Sequence, residues 1–328
     1  MYSIFLRASY APERRASALV GFGSYSKDFN ESDGIGTFIN TIYTLEFRDN
    51  YQKLYQENWV SLSNAIDLVN GLVLNVSVKA FKRDSLVNTN DFSFFYNDAR
   101  TFSANIPENS KFEQTIKNVD LGSIASVGVE YTPEYYYRMY GKTKVMVRSR
   151  YPTFRFRYNL FGYISPDKIY AHKFQVGLHQ RRNLGIFRDL YYSLNLGSFI
   201  HSQKIHFADF RHFNTQPIYV VENESQNSFC NLPFYHQSTN NQWVEFHSYY
   251  RSAFLLLKYL PFFSKMAWKE VVFLSALSTP QTPYYVELGY GTNEILQSIR
   301  ISGHIGYMHD GEFYYGFRIG ISGNYIGL

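Results

Sequence analysis

The sequence holds a single cysteine, Cys230, so no internal disulfide can form. Cys230 has no CxxC partner and lies in a polar stretch, where it reads as incidental. Long apolar runs are missing as well. The longest, Ala253 to Phe263, is broken by Lys258 and Pro261, and a membrane-crossing helix needs about 20 consecutive apolar residues. A helical membrane protein is therefore excluded. Charge of one sign is scarce: the net charge is +5 over 328 residues, with the basic residues scattered, so no nucleic-acid surface is indicated. No segment at the start has the form of a signal peptide, because Tyr2-Ser3-Ile4-Phe5-Leu6-Arg7 already alternates. An exported protein carries such a signal, so the chain is expected to begin inside a longer gene product. The GxSxG, HExxH, Walker A and GxGxxG motifs are absent too, and the chain reads as a non-enzyme with no cofactor.

Aromatic side chains are what the sequence has in abundance. They make up 19% of it, with 30 tyrosines and 29 phenylalanines. Aromatic rings favour strands and collect at membrane–water interfaces. The mean hydropathy of -0.29 suits a transmembrane barrel, whose strands alternate and average out to modest values.

Alternation is plainest at the end of the chain. Phe313, Tyr315, Phe317, Ile319 and Ile321 share one parity, and Glu312, Tyr314, Gly316, Arg318, Gly320 and Ser322 share the other. A period of two with one apolar face means a strand wet on one side only. Ile299, Ile301, Ile305 and Tyr307 repeat the pattern, joined to the last strand by the hairpin signal His309-Asp310-Gly311. Further runs begin at Thr153, Lys173, Asp189 and Tyr285, and Asn70-Gly71 links two more. In all there are roughly thirteen candidate strands of about 9–12 residues, the length that a tilted strand needs to cross a bilayer. Short connections are expected at Asn70-Gly71, Asn183-Leu184-Gly185 and Asn293-Glu294, and long ones at Asp84 to Asp120 and His201 to Gln242. Turns on one side and loops on the other is the outer-membrane barrel arrangement. Helical spacing of Phe38, Ile42, Leu45, Tyr51, Leu54 and Tyr55 predicts an amphipathic helix over about 37–55, and a second short one is expected around Leu257 to Lys265.

The fold class that follows is all-β: a transmembrane antiparallel up-and-down β-barrel in the cell outer membrane, with one or two short helices in connections. Residues 1–328 read as one barrel domain. An odd strand count does not suit a closed bacterial barrel, so N-terminal strands are expected to be missing.

Candidate lumen-lining charges are Arg155, Arg157, Glu245, Arg251, Glu287, Arg300, Glu312 and Arg318, with Glu130 and Lys173 beside them. Either they line a pore or bind a substrate, or they merely solvate a lumen and pair across strands. His201, His206, Asp209 and His212 offer metal-type side chains, but spacings of five, three and three in a loop fall short of a zinc pattern, and no metal is expected. Ser248 and His247 are neighbours on a strand and point to opposite faces, so they form no nucleophile–base pair. Tyr135-Tyr136-Tyr137 and Tyr249-Tyr250 are expected in an interfacial aromatic girdle rather than a stacking platform.

A series of segments resembles one family. They are Tyr25-Ser26-Lys27-Asp28-Phe29-Asn30, Ile39-Asn40-Thr41 through Asn50-Tyr51-Gln52-Lys53-Leu54-Tyr55, Asn70-Gly71-Leu72 and Tyr151-Pro152-Thr153-Phe154. Asn183-Leu184-Gly185, His212-Phe213-Asn214, Leu260-Pro261 with Trp268-Lys269-Glu270-Val271-Val272, and Tyr284-Tyr285-Val286-Glu287-Leu288 continue it in the family's order. The family is the Bacteroidota outer-membrane group that joins a carboxypeptidase-regulatory-like domain to a C-terminal barrel domain of unknown function. The resemblance implies an upstream signal peptide and small β-sandwich, no catalytic residues, and a barrel distantly like the BamA-type surface-antigen barrels. It also implies work in assembling or moving outer-membrane or surface proteins, and the two-parity strands with their loop asymmetry lead to the expectation of a structural, transport or assembly component. The expected partners are outer-membrane lipid, the barrel assembly machinery, and a surface lipoprotein or glycan at the long loops. A barrel-embedded hydrolase is the alternative. The ending Asn324-Tyr325-Ile326-Gly327-Leu328 departs from the terminal aromatic typical of assembly signals.

Overall fold

A computed structural model describes residues 2–30, 34–109, 118–164, 168–222, 226–253, 255–266, 268–295 and 298–321. The ending at Asn324–Leu328 lies outside these residues. The strands are β1 (Tyr2–Ala11), β2 (Ala16–Asp28), β3 (Leu54–Val69), β4 (Leu72–Ser85), β5 (Val119–Tyr131), β6 (Tyr136–Tyr140), β7 (Thr143–Arg148) and β8 (Thr153–Ile164). They continue as β9 (Lys168–Gly185), β10 (Arg188–Ile200), β11 (Val220–Glu222), β12 (Trp243–Ser252), β13 (Lys269–Ser278), β14 (Tyr285–Ile295), β15 (Ile299–Met308) and β16 (Phe313–Ile321). One sheet of 14 strands runs from β1 to β16 in chain order, with β6 and β7 set apart as a hairpin and β11 added beyond β16. Every pair in it is antiparallel except the three-residue β11–β16 ladder.

Alternation sets the two faces. On β3 the inward row is Tyr55, Glu57, Trp59, Ser61 and Asp67, while Val60 and Leu62 point out. The ladder continues the inward row onto Phe81 and Arg83 of β4, and Tyr163 of β8 faces the same side through Gly122. Outward rows are apolar and exposed: Val76, Val78, Phe154, Phe156, Val176, Leu274, Leu288, Ile305 and Phe317. A band of apolar side chains running round the outside is a surface for lipid. The sheet is curled, because the loop between β10 and β12 touches inward residues from β2 to β16 at once: Asn30 beside β2, Arg83, Tyr163, Glu245, Glu287 and Arg318. This is the all-β, up-and-down barrel architecture.

Among the described residues the sheet has, apart from β11, thirteen long strands. β1 and β16 therefore run the same way. Among the described residues no ladder joins them, and the outer edge of β16 pairs with β11, Val220 opposite Ile319 and Glu222 opposite Ile321. A direct β1–β16 ladder would be parallel, and antiparallel closure requires an odd number of strands between them.

The connections divide between two ends. One end carries the turns β1–β2, β3–β4, β9–β10 and β14–β15, together with the β6–β7 hairpin and the segment joining β12 to β13. The other carries the three long loops, 28–54, 85–119 and 200–243, along with three shorter links. The asymmetry holds, but the turn end is less bare than the sequence implied. Two turns also sit beyond their expected positions, since β9 extends through Gly185 and β14 through Ile295. At Gly71 the backbone has φ +80 and lies against the Thr132 carbonyl, so glycine is needed there.

The helix expected over 37–55 is shorter. A helix, α1 (Thr37–Ile42), runs into one wide turn, Tyr43–Phe47, and stops at Arg48 with φ 59. Asn40 forces the exit: its Oδ1 accepts the backbone N–H groups of Tyr51 and Gln52 at 3.0 Å. Leu54 and Tyr55 belong to β3. Around Leu257 to Lys265 the helix is two 3-10 turns.

Candidate functional site: a loop folded into the lumen

The loop after β10 is rich in aromatics and amides. It turns inward rather than out. Phe207, Phe210, Phe213, Phe229, Leu232 and Tyr235 are buried against inward-facing Tyr55, Phe81, Phe161, Tyr163, Phe199, Trp243, Leu277 and Tyr285. Burying such rings supplies roughly 1.5–3 kcal/mol each, which is the driving force for drawing the loop in. The loop is braced internally by reciprocal backbone bonds between Arg211 and Thr239 (2.7 and 3.0 Å) and by Phe229 N–H to Asn214 O at 2.9 Å.

Polar groups fix its position at four places round the wall. Arg83 of β4 forms a two-pronged pair with Asp209: Nη2 donates to Oδ1 at 3.0 Å and Nη1 to Oδ2. The Tyr163 hydroxyl donates to the same carboxylate, and Glu57 of β3 accepts from Arg83 Nε at 2.9 Å. Burial alone would raise the Asp209 carboxyl, but the Arg83 guanidinium outweighs it and brings the pKa down to about 2. On the opposite wall Arg211 of the loop pairs with Glu245 of β12. Glu287 of β14 accepts the backbone N–H groups of Cys230 (2.9 and 3.0 Å) and Asn231 (3.0 Å). Arg318 of β16 donates to Gln216 O (3.2 Å), Phe229 O (3.3 Å) and Ser228 Oγ (3.2 Å).

The inward charges singled out in the sequence thus separate into groups. Glu245, Glu287 and Arg318 hold the loop. Arg155 and Arg157 line the unfilled turn-end half of the lumen, where Arg155 Nε meets Glu130 at 3.0 Å. Arg251 pairs with Asp189 near the turns. Arg300 lies half-buried on the inward parity of β15, opposite Gly320. Glu312 lies at the rim, in the hairpin before β16, exposed, and accepts the Tyr314 hydroxyl at 2.9 Å. The open half is a cavity of about 600 Å³ lined by Arg7, Arg15, Asp67, Glu130, Arg155 and His179 among others.

Other residues singled out in the sequence take the following places. Cys230 lies in the loop after β10 and is buried there. Tyr249 does not join a girdle but packs inward with Val271 and Phe273. The four metal-type side chains do not converge. His206 Nδ1 accepts from Ala208 N at 3.2 Å, His212 bonds Ser238 Oγ and Phe207 O, and His201 lies beside His172. Among the described residues no group of three His, Cys, Asp or Glu is placed to hold a metal.

One constellation escaped the sequence reading. His247 bonds Ser275 Oγ at 2.9 Å and Glu245 Oε1 at 3.2 Å. These are the residue types of a hydrolytic triad, but the Phe229 ring packs tilted against the imidazole, centroids 4.6 Å apart, and His247 has no exposed surface. A second such chain, Ser302–His304–Glu287, is equally buried. Both act as buried hydrogen-bond networks beneath the loop. Glu57, Arg83 and Arg211 were also missed. For Glu57 and Arg83 the signal was a charge on the parity of buried aromatics, as in Tyr55-Glu57-Trp59, whereas Arg211 lies in the loop, where parity gives none.

The fold and this site define a class: a β-barrel with an apolar outer belt whose lumen is filled at one end by its own loop. The sequence places it further. It matches a family of unknown function (DUF5686), C-terminal domain, over residues 2–292, and the chain belongs to that family. No curated protein matches it in sequence. Among solved structures it is similar to the Pseudomonas putida toluene transporter TodX (9% identity, TM-score 0.30, covering 96% of this chain and 79% of that one). It is also similar to CymD, a monoaromatic hydrocarbon channel (9%, 0.29, 97% and 84%), and to a Rh. blastica porin mutant (8%, 0.23, 96% and 98%). At TM-scores this low the likeness says nothing of function.

Proposed function

We propose that the chain is an integral outer-membrane barrel held shut by its own loop. It serves the assembly or passage of outer-membrane or surface proteins by moving that loop, not as a standing diffusion pore. The observation that carries the reading is the buried Arg83–Asp209 pair, which ties the loop to the wall near the loop-bearing end of the barrel, with the Arg211–Glu245 pair tying it to the far side. An open pore would gain nothing from charges spent on closing it. The resemblance to the Bacteroidota group extends the reading to an upstream carboxypeptidase-regulatory-like domain. The apolar outer rows support a lipid environment, and the sealed Ser275–His247–Glu245 set speaks against hydrolysis in the closed state.

Conductance in planar bilayers tests this. The intact protein is expected to conduct weakly, and a variant with residues 206–238 replaced by a short linker to conduct strongly. Equal, large conductance from both would sink the closed-barrel reading. Heat-dependent migration on a gel checks that each sample is folded.

A further inference from the structure

Between β12 and β13 the chain does not take a tight turn. It runs as two 3-10 turns, Leu257–Tyr259 and Phe263–Lys265, separated at Pro261, on the end of the barrel that carries the short turns. Glu270 fixes where this segment lies. The ladder puts Glu270 opposite Ser252, on the same outward face as Val272 and Leu274. A carboxylate facing lipid is costly, yet Glu270 is only 1% exposed. Its oxygens accept the backbone N–H groups of Leu255 (2.9 Å), Leu256 (2.6 Å) and Leu257 (3.0 Å). The hydroxyl of Tyr290, outward on β14, donates to it at 2.6 Å. Four donors satisfy the carboxylate and strap the segment against the outside of the wall.

The backbone is turned to the wall, and the side chains project away from it. Leu256 is 65% exposed, Tyr259 80% and Phe262 73%. Leu260 is half exposed, and Lys258 and Lys265 are exposed beside them. In water such a cluster is an unfavourable patch. At a bilayer surface it is amphipathic: rings and leucines enter the headgroup–acyl boundary, and lysine ammoniums reach the phosphates. Glu270 stands two residues before Val272 on the same face, so the strapped segment adjoins the apolar outward rows at Val272, Leu274 and Leu288.

We propose that this segment is a membrane-interface anchor. It is strapped to the outer wall by Glu270 and sinks Leu256, Tyr259, Leu260 and Phe262 into the turn-end leaflet, with Lys258 and Lys265 at anionic headgroups. Lipid is the occupant because Glu270 straps the patch to the same outward face that carries the apolar rows of Val272 and Leu274. The inference rests on the reading of the barrel as membrane-embedded.

The experiment uses the full chain refolded into phosphatidylcholine–phosphatidylglycerol vesicles, in a Cys230→Ala background. One sample carries Tyr259→Cys and another Leu288→Cys, each labelled with an environment-sensitive fluorophore. Lipids bearing a nitroxide near the carbonyls or near the chain ends, and aqueous iodide, serve as quenchers. The proposal expects the Tyr259 label to emit to the blue of its value in detergent-free denaturant. It should be quenched most by the shallow nitroxide and shielded from iodide. Adding Glu270→Ala should then shift its emission to the red while leaving the Leu288 label quenched by lipid. If the Leu288 label is quenched by lipid while the Tyr259 label is quenched only by iodide, the anchor is overturned and the embedded barrel stands. If neither label meets lipid, the embedded barrel falls and takes the anchor with it. A Tyr259 label unmoved by Glu270→Ala overturns the assigned role of Glu270.

Discussion

Arg83 and Asp209 are 126 residues apart in sequence and meet in the lumen as a two-pronged ion pair, with side chains 1% and 4% exposed. One belongs to the wall and the other to the loop, so the pair is a direct link between barrel and plug. A buried pair adds little over apolar packing of the same volume, but losing one partner is costly, because the other charge stays behind without water.

Asp209→Ala should therefore loosen the plug by about 3 kcal/mol, at the lower end for such pairs because Glu57 still holds Arg83. Limited proteolysis within 201–242 and urea unfolding in detergent would read the change. Unaltered protection of the loop would mean that the aromatic packing alone holds it.

The loop should also loosen in two stages as the pH falls. Burial, reinforced by the Lys173 charge, holds the His212 imidazole down from 6.5 to about 3. The free loop takes up a proton that the folded one refuses, so its contribution is full above about 6.5 and declines as the pH drops toward 3. Asp209, brought from 3.8 to about 2, contributes above 3.8 and is lost between there and 2. Protease protection of the loop against pH should show both stages. His212→Gln should abolish the upper one and keep the lower, and a profile identical to the parent's would refute the assignment.

Arg318→Lys should fail to replace the arginine. The planar guanidinium reaches two carbonyls and the Ser228 hydroxyl together, and an ammonium on a flexible stem holds no such fork. Hydrogen exchange at Gln216 to Phe229 should rise in Arg318→Lys nearly as far as in Arg318→Met. Protection kept in the lysine variant would show that charge alone suffices.

Gly197→Ala should destabilise the barrel by about 1–3 kcal/mol, because the added methyl falls on the ring of Trp243 and against the Phe174 carbonyl. Thermal unfolding checks the magnitude, and near-ultraviolet circular dichroism checks the displacement of Trp243. Gly303→Ala, with open space at its Cβ, is the matched control.

Much of the wall was legible in the sequence because alternation is a local property. Phe313, Tyr315 and Phe317 declare their strand and its outer face without reference to anything else, and a strand count near thirteen followed from the same rule. Helical spacing misled over 51–55, where inward Tyr55 fell by accident on the period of α1 and the capping amide of Asn40 went unnoticed. Two-sided parity also placed Glu245, Glu287 and Arg318 on the inner face, but it could not say what they meet there.

The sequence by itself determined an all-β chain with a lipid-facing and a wet face, because period and composition act between near neighbours. Only the tertiary structure decided that the lumen is filled at its loop end. The loop's aromatics gain burial only once the sheet has curled round them, and Arg83 and Asp209 become partners only when that closure brings distant segments together.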